Sequence, residues 1–155
     1  MKEIKLTQGK FALVDNEDFE WLNQWKWYFR NGYAVRGIWN NDKKNMDTIR
    51  MHRIIIRAPE NSQVDHVDGN KLDNRRVNLR LCSPLQNKRN QKLYKNNKSG
   101  FKGVSLHVDN PYKRWVAQIR VEGKLLHLGY FLDKYLASQT YQKAARKYFG
   151  VFMRN

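Results

Sequence analysis

The stretch from Gln63 to Asn90, QVDHVDGNKLDNRRVNLRLCSPLQNKRN, constrains the fold more than any other part of this chain, because it prescribes three consecutive elements. Val64 to Val67 reads as a strand, Asp68-Gly69-Asn70 as its turn, and Val77 to Cys82 as a second segment of alternating apolar residues. Ser83-Pro84-Leu85-Gln86 then carries three agreeing helix-start signals: Ser at the N-cap, Pro at the first helical position and Gln three residues after the cap. The helix is expected to run from Pro84 to roughly Leu93, with Asn87 and Asn90 facing the same way. Such a β-β-α unit brings Asp65 and His66, at the end of one strand, against the first turns of a helix that carries Asn87.

The stretch also lies in the most basic part of a basic chain. Lys and Arg total 30 against 14 for Asp and Glu, a formal net charge of +16, and nucleic acid is the leading partner for that charge. Between Asp73 and Asp109 there is no carboxylate, while Arg75, Arg76, Arg80, Lys88, Arg89, Lys92, Lys95, Lys98 and Lys102 fall there. A strip of this kind draws phosphates by releasing their condensed counterions. No apolar run approaches the ~20 residues a transmembrane helix needs. The opening MKEIKLTQGKF lacks the apolar core of a secretory signal, so a cytoplasmic protein with no membrane partner is expected. Cys82 is the lone cysteine. It rules out an internal disulfide and any zinc knuckle built from several cysteines, and is expected as a small buried side chain.

The residue types inside the β-β-α unit point to metal-assisted hydrolysis. The carboxylate of Asp65 and the amide oxygen of Asn87 are hard ligands suited to one Mg2+ or Mn2+, with waters and phosphate oxygens completing the shell. Beside such a cation, an imidazole takes a proton from water near neutral pH, which makes His66 the candidate general base. Asp68-Gly69-Asn70 is not a calcium loop, since Val67 occupies a ligand position and no Glu closes it.

At these residues the chain resembles the HNH nucleases, specifically the phage and intron-encoded homing endonucleases with a His-Asn-Asn signature. Asp65-His66 is followed after twelve residues by Asn78 and after nine more by Asn87. The resemblance implies that Asp65 and Asn87 hold the metal, that His66 activates water, and that Asn78 helps orient the histidine or its loop. It extends through Val14-Asp15, Tyr33-Ala34-Val35, Met51-His52-Arg53 and Asn78-Leu79-Arg80. Asn87 stands where many relatives carry His.

Upstream, Ile4 to Val14 reads as one or two short strands with Gly9 as breaker, and Asp15 to Asp18 open a short helix ahead of Phe19, Trp21, Leu22 and Trp25. Trp25 to Phe29 and Tyr33 to Ile38 are expected as paired strands about Asn31-Gly32, their aromatics mainly core. Asn40 to Asp47 is expected as an exposed loop, and Ile49 to Arg57, where periodicity does not separate helix from strand, is read in favour of a short helix ending before Pro59. His52 is weighed between a structural role and service to a phosphate or a neighbouring residue.

Lys92 to Gly100 has the composition of a basic linker. Beyond it, Phe101 to Val108, Trp115 to Val121 and Leu125 to Phe131 read as three strands, with turns at Asp109-Asn110-Pro111 and Glu122-Gly123. Asp133 caps a final helix whose expected apolar face is Leu136, Ala137, Tyr141, Ala144, Ala145 and Tyr148. Strand alternation turns Trp115, Ala117 and Ile119 to that helix and Arg114, Gln118 and Arg120 outward. The tail resembles the AP2/ERF DNA-binding domain through Phe101-Lys102-Gly103-Val104, Trp115 to Arg120, Leu128-Gly129-Tyr130-Phe131 and Ala144-Ala145. By that resemblance Lys102, Ser105, His107, Gln118, Arg120 and His127 would meet DNA.

The expected architecture is therefore α+β: an HNH-type β-β-α nuclease domain over 1–93, a linker over 94–100, and an AP2-like three-stranded antiparallel sheet on one helix over 101–155. The expected activity is site-selective hydrolysis of double-stranded DNA by a monomer or a DNA-induced dimer, with Arg75, Arg76 and Arg80 neutralising phosphates. The alternative is a DNA-binding regulator or architectural protein that has kept the scaffold without its activity.

Overall fold

The computed structural model describes residues 1–91, 93–107, 112 and 115–153. Arg114, Lys92 and the turn expected at Asp109-Asn110-Pro111 lie outside the described residues. The protein is α+β, with small antiparallel sheets and few helices, and divides into two compact units, Met1–Lys88 and Arg89–Asn155. No helix among the described residues is long and apolar enough to cross a membrane.

In the first unit, β1 (Lys2–Lys5) pairs antiparallel with β2 (Phe11–Val14), and α1 (Asn16–Leu22) follows with Glu17 and Asp18 in its first turn. Acids there complement the exposed N–H groups at the positive end of the helix dipole. A second sheet holds β3 (Tyr28–Arg30), β4 (Tyr33–Asn40) and β5 (Asn45–Arg50) in that order. Asn31 and Gly32 both take positive φ, 52° and 87°, as a tight two-residue hairpin requires. The short helix α2 (Met51–Ile55) closes this sheet. The core gathers Ile4, Leu6, Ala12, Val14, Leu22, Trp27, Ala34, Met51, Ile55 and Leu79. Trp27 donates its indole N–H to the Leu22 carbonyl at 2.8 Å, which satisfies the polar end of a buried ring.

Two expectations need correction here. Asn40 to Asp47 is not one exposed loop: β4 runs to Asn40, β5 starts at Asn45, and the register pairs Asn40 with Asn45. A bond from Asn40 Nδ2 to Asp47 Oδ2 at 2.5 Å stabilises this hairpin end, so its polar residues pair with each other while facing water. The aromatics also divide, with Trp27 in the core while Trp25 and Tyr28 stay substantially exposed.

The central unit follows as β6 (Gln63–His66), β7 (Leu79–Cys82) and α3 (Pro84–Arg89). Ser83 N–H donates to Gln86 Oε1 at 2.8 Å and Gln86 N–H to Ser83 Oγ at 3.2 Å, a reciprocal capping box. The helix stops at Arg89, short of the expected Leu93, because none of its residues is buried and packing therefore does not prolong it. Cys82 is buried, and burial pushes its thiol pKa up.

The second unit carries β8 (Val104–Leu106), β9 (Trp115–Val121) and β10 (Lys124–Phe131) as an antiparallel sheet in the order β10-β9-β8. The helix α4 (Lys134–Phe149) is capped by Asp133, whose carboxylate accepts the Tyr135 N–H at 2.9 Å. Val104, Ala117 and Ala137 form the buried centre between sheet and helix. The helix face is narrower than expected: Ala137, Ser138 and Ala145 are buried, while Leu136 and Tyr148 are exposed. A three-stranded sheet with a three-residue first strand does not cover a full apolar stripe.

Gly103 sets how closely sheet and helix meet. At φ +65°, an added Cβ would lie 2.1 Å from the Tyr141 ring and 2.6 Å from the Gln118 carbonyl oxygen. Gly103→Ala is expected to destabilise the second unit by about 2 kcal/mol through overpacking and backbone strain. A shift in the urea midpoint of that unit measures it, and an unshifted midpoint would mean that the Tyr141 ring yields freely.

Candidate active site

Asp65 and His66 close β6, each about 5% exposed. The antiparallel register sets Asp65 opposite Arg80, and the guanidinium donates to Asp65 Oδ2 from Nε at 2.9 Å and from Nη2 at 2.6 Å. Gln63 shares the Asp65 face of the strand, two residues back, and its Oε1 accepts a 2.8 Å bond from Asn87 Nδ2. The structure thus brings Asn87 on α3 to the edge of β6 that carries Asp65. With Nδ2 committed, Asn87 keeps Oδ1, the atom a hard cation uses. A carboxylate and an amide oxygen fit a divalent ion whose remaining positions go to water and substrate. No group of three or more His, Cys, Asp or Glu suited to a metal occurs among the described residues.

The imidazole of His66 packs in a ring cluster. His52 meets it edge-on at 5.0 Å between centroids, and Tyr33 lies 6.1 Å from it and 5.1 Å from His52. Asn74 is wholly buried next to it. Burial lowers the His66 pKa, while Asn74 and the charges of Asp65, Asp68 and Asp73 pull against that shift. The net direction keeps His66 neutral at pH 7, the state a general base needs.

His52 goes further, to about 3, first through burial, then through His66, which is itself protonated in that acid range, and through the positive charges of Arg50, Arg53 and Lys71. In the unfolded chain its pKa returns to about 6.5, so below that value the unfolded state binds the extra proton. Stability is therefore expected to fall as pH drops from about 6.5 towards 3, at up to about 1.4 kcal/mol per unit, with His66 adding to the slope. His52→Phe should flatten that decline. Urea midpoints across the range measure it, and an equally steep slope in the variant would remove His52 as a cause.

The loop between the strands is held by side chains that also accept and donate backbone bonds. Asn78 Oδ1 accepts the Asp68 N–H at 3.0 Å, and Asn78 Nδ2 donates to the Asp73 carbonyl at 2.9 Å, so one buried amide spans the loop from end to end. Asp68 and Asn70 cap successive turns within it. Its far side joins β2, where Leu13 N–H donates to Leu72 and Asn74 N–H to Leu13.

The three arginines expected at phosphates are all engaged inside the protein. Arg75 pairs with Asp73, Arg76 with Asp18 and Glu17, and Arg80 with Asp65. Arg53 donates to the carbonyls of Ser62 and Pro59 and so holds the turn ahead of β6. In the second unit, register and alternation put Ser105, Gln118, Arg120 and His127 on one face of the sheet. Arg120 Nη1 donates to the Gly123 carbonyl, Lys102 Nζ donates to the Arg89 carbonyl, and His107 and His127 both lie against Tyr130. Nothing local marks Asn74, since an Asn after an Asp in a polar turn looks like any turn residue. Tyr33 was placed in a strand, but nothing local signals that its ring reaches His66.

The β-β-α unit thus presents a buried histidine and an adjacent carboxylate on β6 and an amide on α3. A family model described as HNH endonuclease matches residues 51–89. Over 152 residues the chain is 30% identical to an uncharacterised HNH endonuclease of Acanthamoeba polyphaga mimivirus, covering 94% of this chain and 74% of that protein. It is also 39% identical over 66 residues to Protein 3.8 of Escherichia phage T7, covering 43% of this chain and 53% of that one. No solved structure matches. The chain belongs to the HNH endonuclease family and is a nuclease.

Proposed function

We propose that the protein is a site-selective DNA endonuclease of the homing type, hydrolysing phosphodiester bonds in double-stranded DNA with one divalent metal per chain, Mg2+ or Mn2+. HNH nucleases in general depend on a divalent metal. Asp65 and Asn87 would hold it, and when bound it supplies positive charge that stabilises the leaving 3' oxygen. Neutral His66 takes a proton from water, and the hydroxide so formed attacks the phosphorus in line, giving a 5' phosphate and a 3' hydroxyl. Asn78 keeps the 67–73 loop in shape around that histidine. The observation that carries this reading is the buried, uncharged His66 beside Asp65, with the Asn87 amide tied through Gln63 to the same strand.

In this reading the AP2-like sheet of the second unit chooses where the enzyme cuts. Ser105, Gln118, Arg120 and His127 share one face of that sheet with Val116 and Leu125, and Arg and Gln there can bond to base edges in a major groove. One metal per chain makes nicking the simplest outcome, with a DNA-induced dimer needed for double-strand cleavage.

The second reading is a DNA-binding regulator without catalytic activity, and the ion pair from Arg80 to Asp65 Oδ2 favours it, because it occupies an oxygen that a metal would use. Supercoiled plasmid incubated with Mg2+ or Mn2+ separates the two. Nicking by the native protein supports the endonuclease. Intact plasmid over a range of DNA targets would leave the regulator.

A further inference from the structure

With Arg53, Arg75, Arg76 and Arg80 engaged in internal bonds, the cations that meet the substrate backbone beside His66 must come from elsewhere. The β3-β4-β5 sheet supplies them. Its register pairs Arg30 with Tyr33 and Val35 with Arg50, so alternation puts Arg30, Tyr33, Val35, Thr48 and Arg50 on one face. They line, with Asn31, a cleft of about 240 Å³ floored by the buried Val35. No carboxylate among the described residues lines it.

A third cation comes from the active-site loop. Lys71 Nζ sits 4.4 Å from the centroid of the Tyr33 ring, and Arg50 lies 5.3 Å from the same centroid. A Cβ on Gly32 would meet Lys71 Cδ at 3.2 Å, so the lysine chain runs close against the Asn31-Gly32 turn. Arg30, Arg50 and Lys71 are all exposed and form no ion pair among the described residues. Holding like charges this close without a counter-ion costs stability, and a bound anion removes that cost. The Tyr33 ring joins this cleft to the site, since its other neighbours are His52 and His66.

We infer that the cleft formed by Arg30, Thr48 and Arg50, with Lys71 at its rim, is a subsite for a backbone phosphate of the DNA strand, next to the phosphate presented to His66. The inference rests on the endonuclease reading for the identity of the strand. A guanidinium pair suits the forked acceptors of a phosphate, and the Asn31 and Thr48 side chains add neutral donors.

The experiment uses the full chain and a fluorescein-labelled DNA duplex, with binding followed by anisotropy in EDTA over a range of salt. Each phosphate that is no longer neutralised lowers the slope of log affinity against log salt by about 0.9. Arg30→Gln/Arg50→Gln is expected to lower the slope by about 0.9, the share of the single phosphate, and adding Lys71→Gln to lower affinity further at each salt concentration without a larger change in slope. Arg30→Gln alone, which removes no side-chain hydrogen bond among the described residues, should lower it by up to about 0.9 and covers the case in which the Arg50 variant disturbs the sheet. Lys10→Gln serves as a charge-matched control. A native slope in the Arg30 variant, or an equal loss in the Lys10 control, would overturn the subsite. If native protein binds with the expected slope losses yet leaves plasmid uncut in Mg2+ and Mn2+, the endonuclease reading falls and the phosphate subsite stands. Native protein that does not bind the duplex overturns both.

Discussion

His66→Ala is expected to slow plasmid nicking by about 10²- to 10⁴-fold while leaving DNA affinity in EDTA unchanged, the scale on which a positioned general base acts. The site gives that expectation its physical content. Burial holds the imidazole neutral, and the Tyr33 and His52 rings leave it little room to turn. Alanine removes the proton acceptor without unpairing Asp65, whose partner Arg80 sits across the strand register. Loss of activity with retained affinity therefore reads the base itself. His66→Gln should be nearly as slow, since an amide keeps the polarity and cannot take a proton. Nicking by either variant at the native rate would remove His66 from the chemistry and return the site to a structural role.

Arg76→Ala is expected to cost about 3 kcal/mol of stability, towards the lower end for a broken buried ion pair because the arginine is half exposed. Its guanidinium bonds the Asp18 carboxylate through Nε at 2.9 Å and Nη2 at 2.7 Å, and the Asp18 side chain is 2% exposed. Removing the arginine strands a buried charge. The Arg76 N–H also donates to Asp15 Oδ2 at 2.8 Å, so this residue ties the segment leading into β7 to the start of α1. Adding Asp18→Asn to the variant should recover part of the loss, because the stranded charge goes with it. Urea unfolding gives the double-mutant cycle. A single variant within about 0.5 kcal/mol of native would mean that the pair contributes nothing measurable.

The same arginine shows where reading from sequence stops. A basic strip from Arg75 to Lys102 looks like a phosphate-binding surface, because one-dimensional order places its acids elsewhere. Folding returns Asp15, Glu17 and Asp18 to Arg76 across a sequence separation of about sixty residues, and sets Asp65 opposite Arg80 by strand register. By contrast, the capping box at Ser83 to Gln86, the turn at Asn31-Gly32 and the β-β-α order were legible, because each depends on residues only a few positions apart.

What the sequence determined by itself was the local grammar of Gln63 to Asn90: strand, turn, strand, capped helix, and the placing of Asp65, His66, Asn78 and Asn87 along it. Turn chemistry and capping act over three or four residues, so composition and spacing suffice. What the tertiary structure alone decided was which charges remain available for a substrate, and which rings surround His66. Both depend on contacts between segments far apart in the chain, where burial and register settle each partner and no local pattern records the choice.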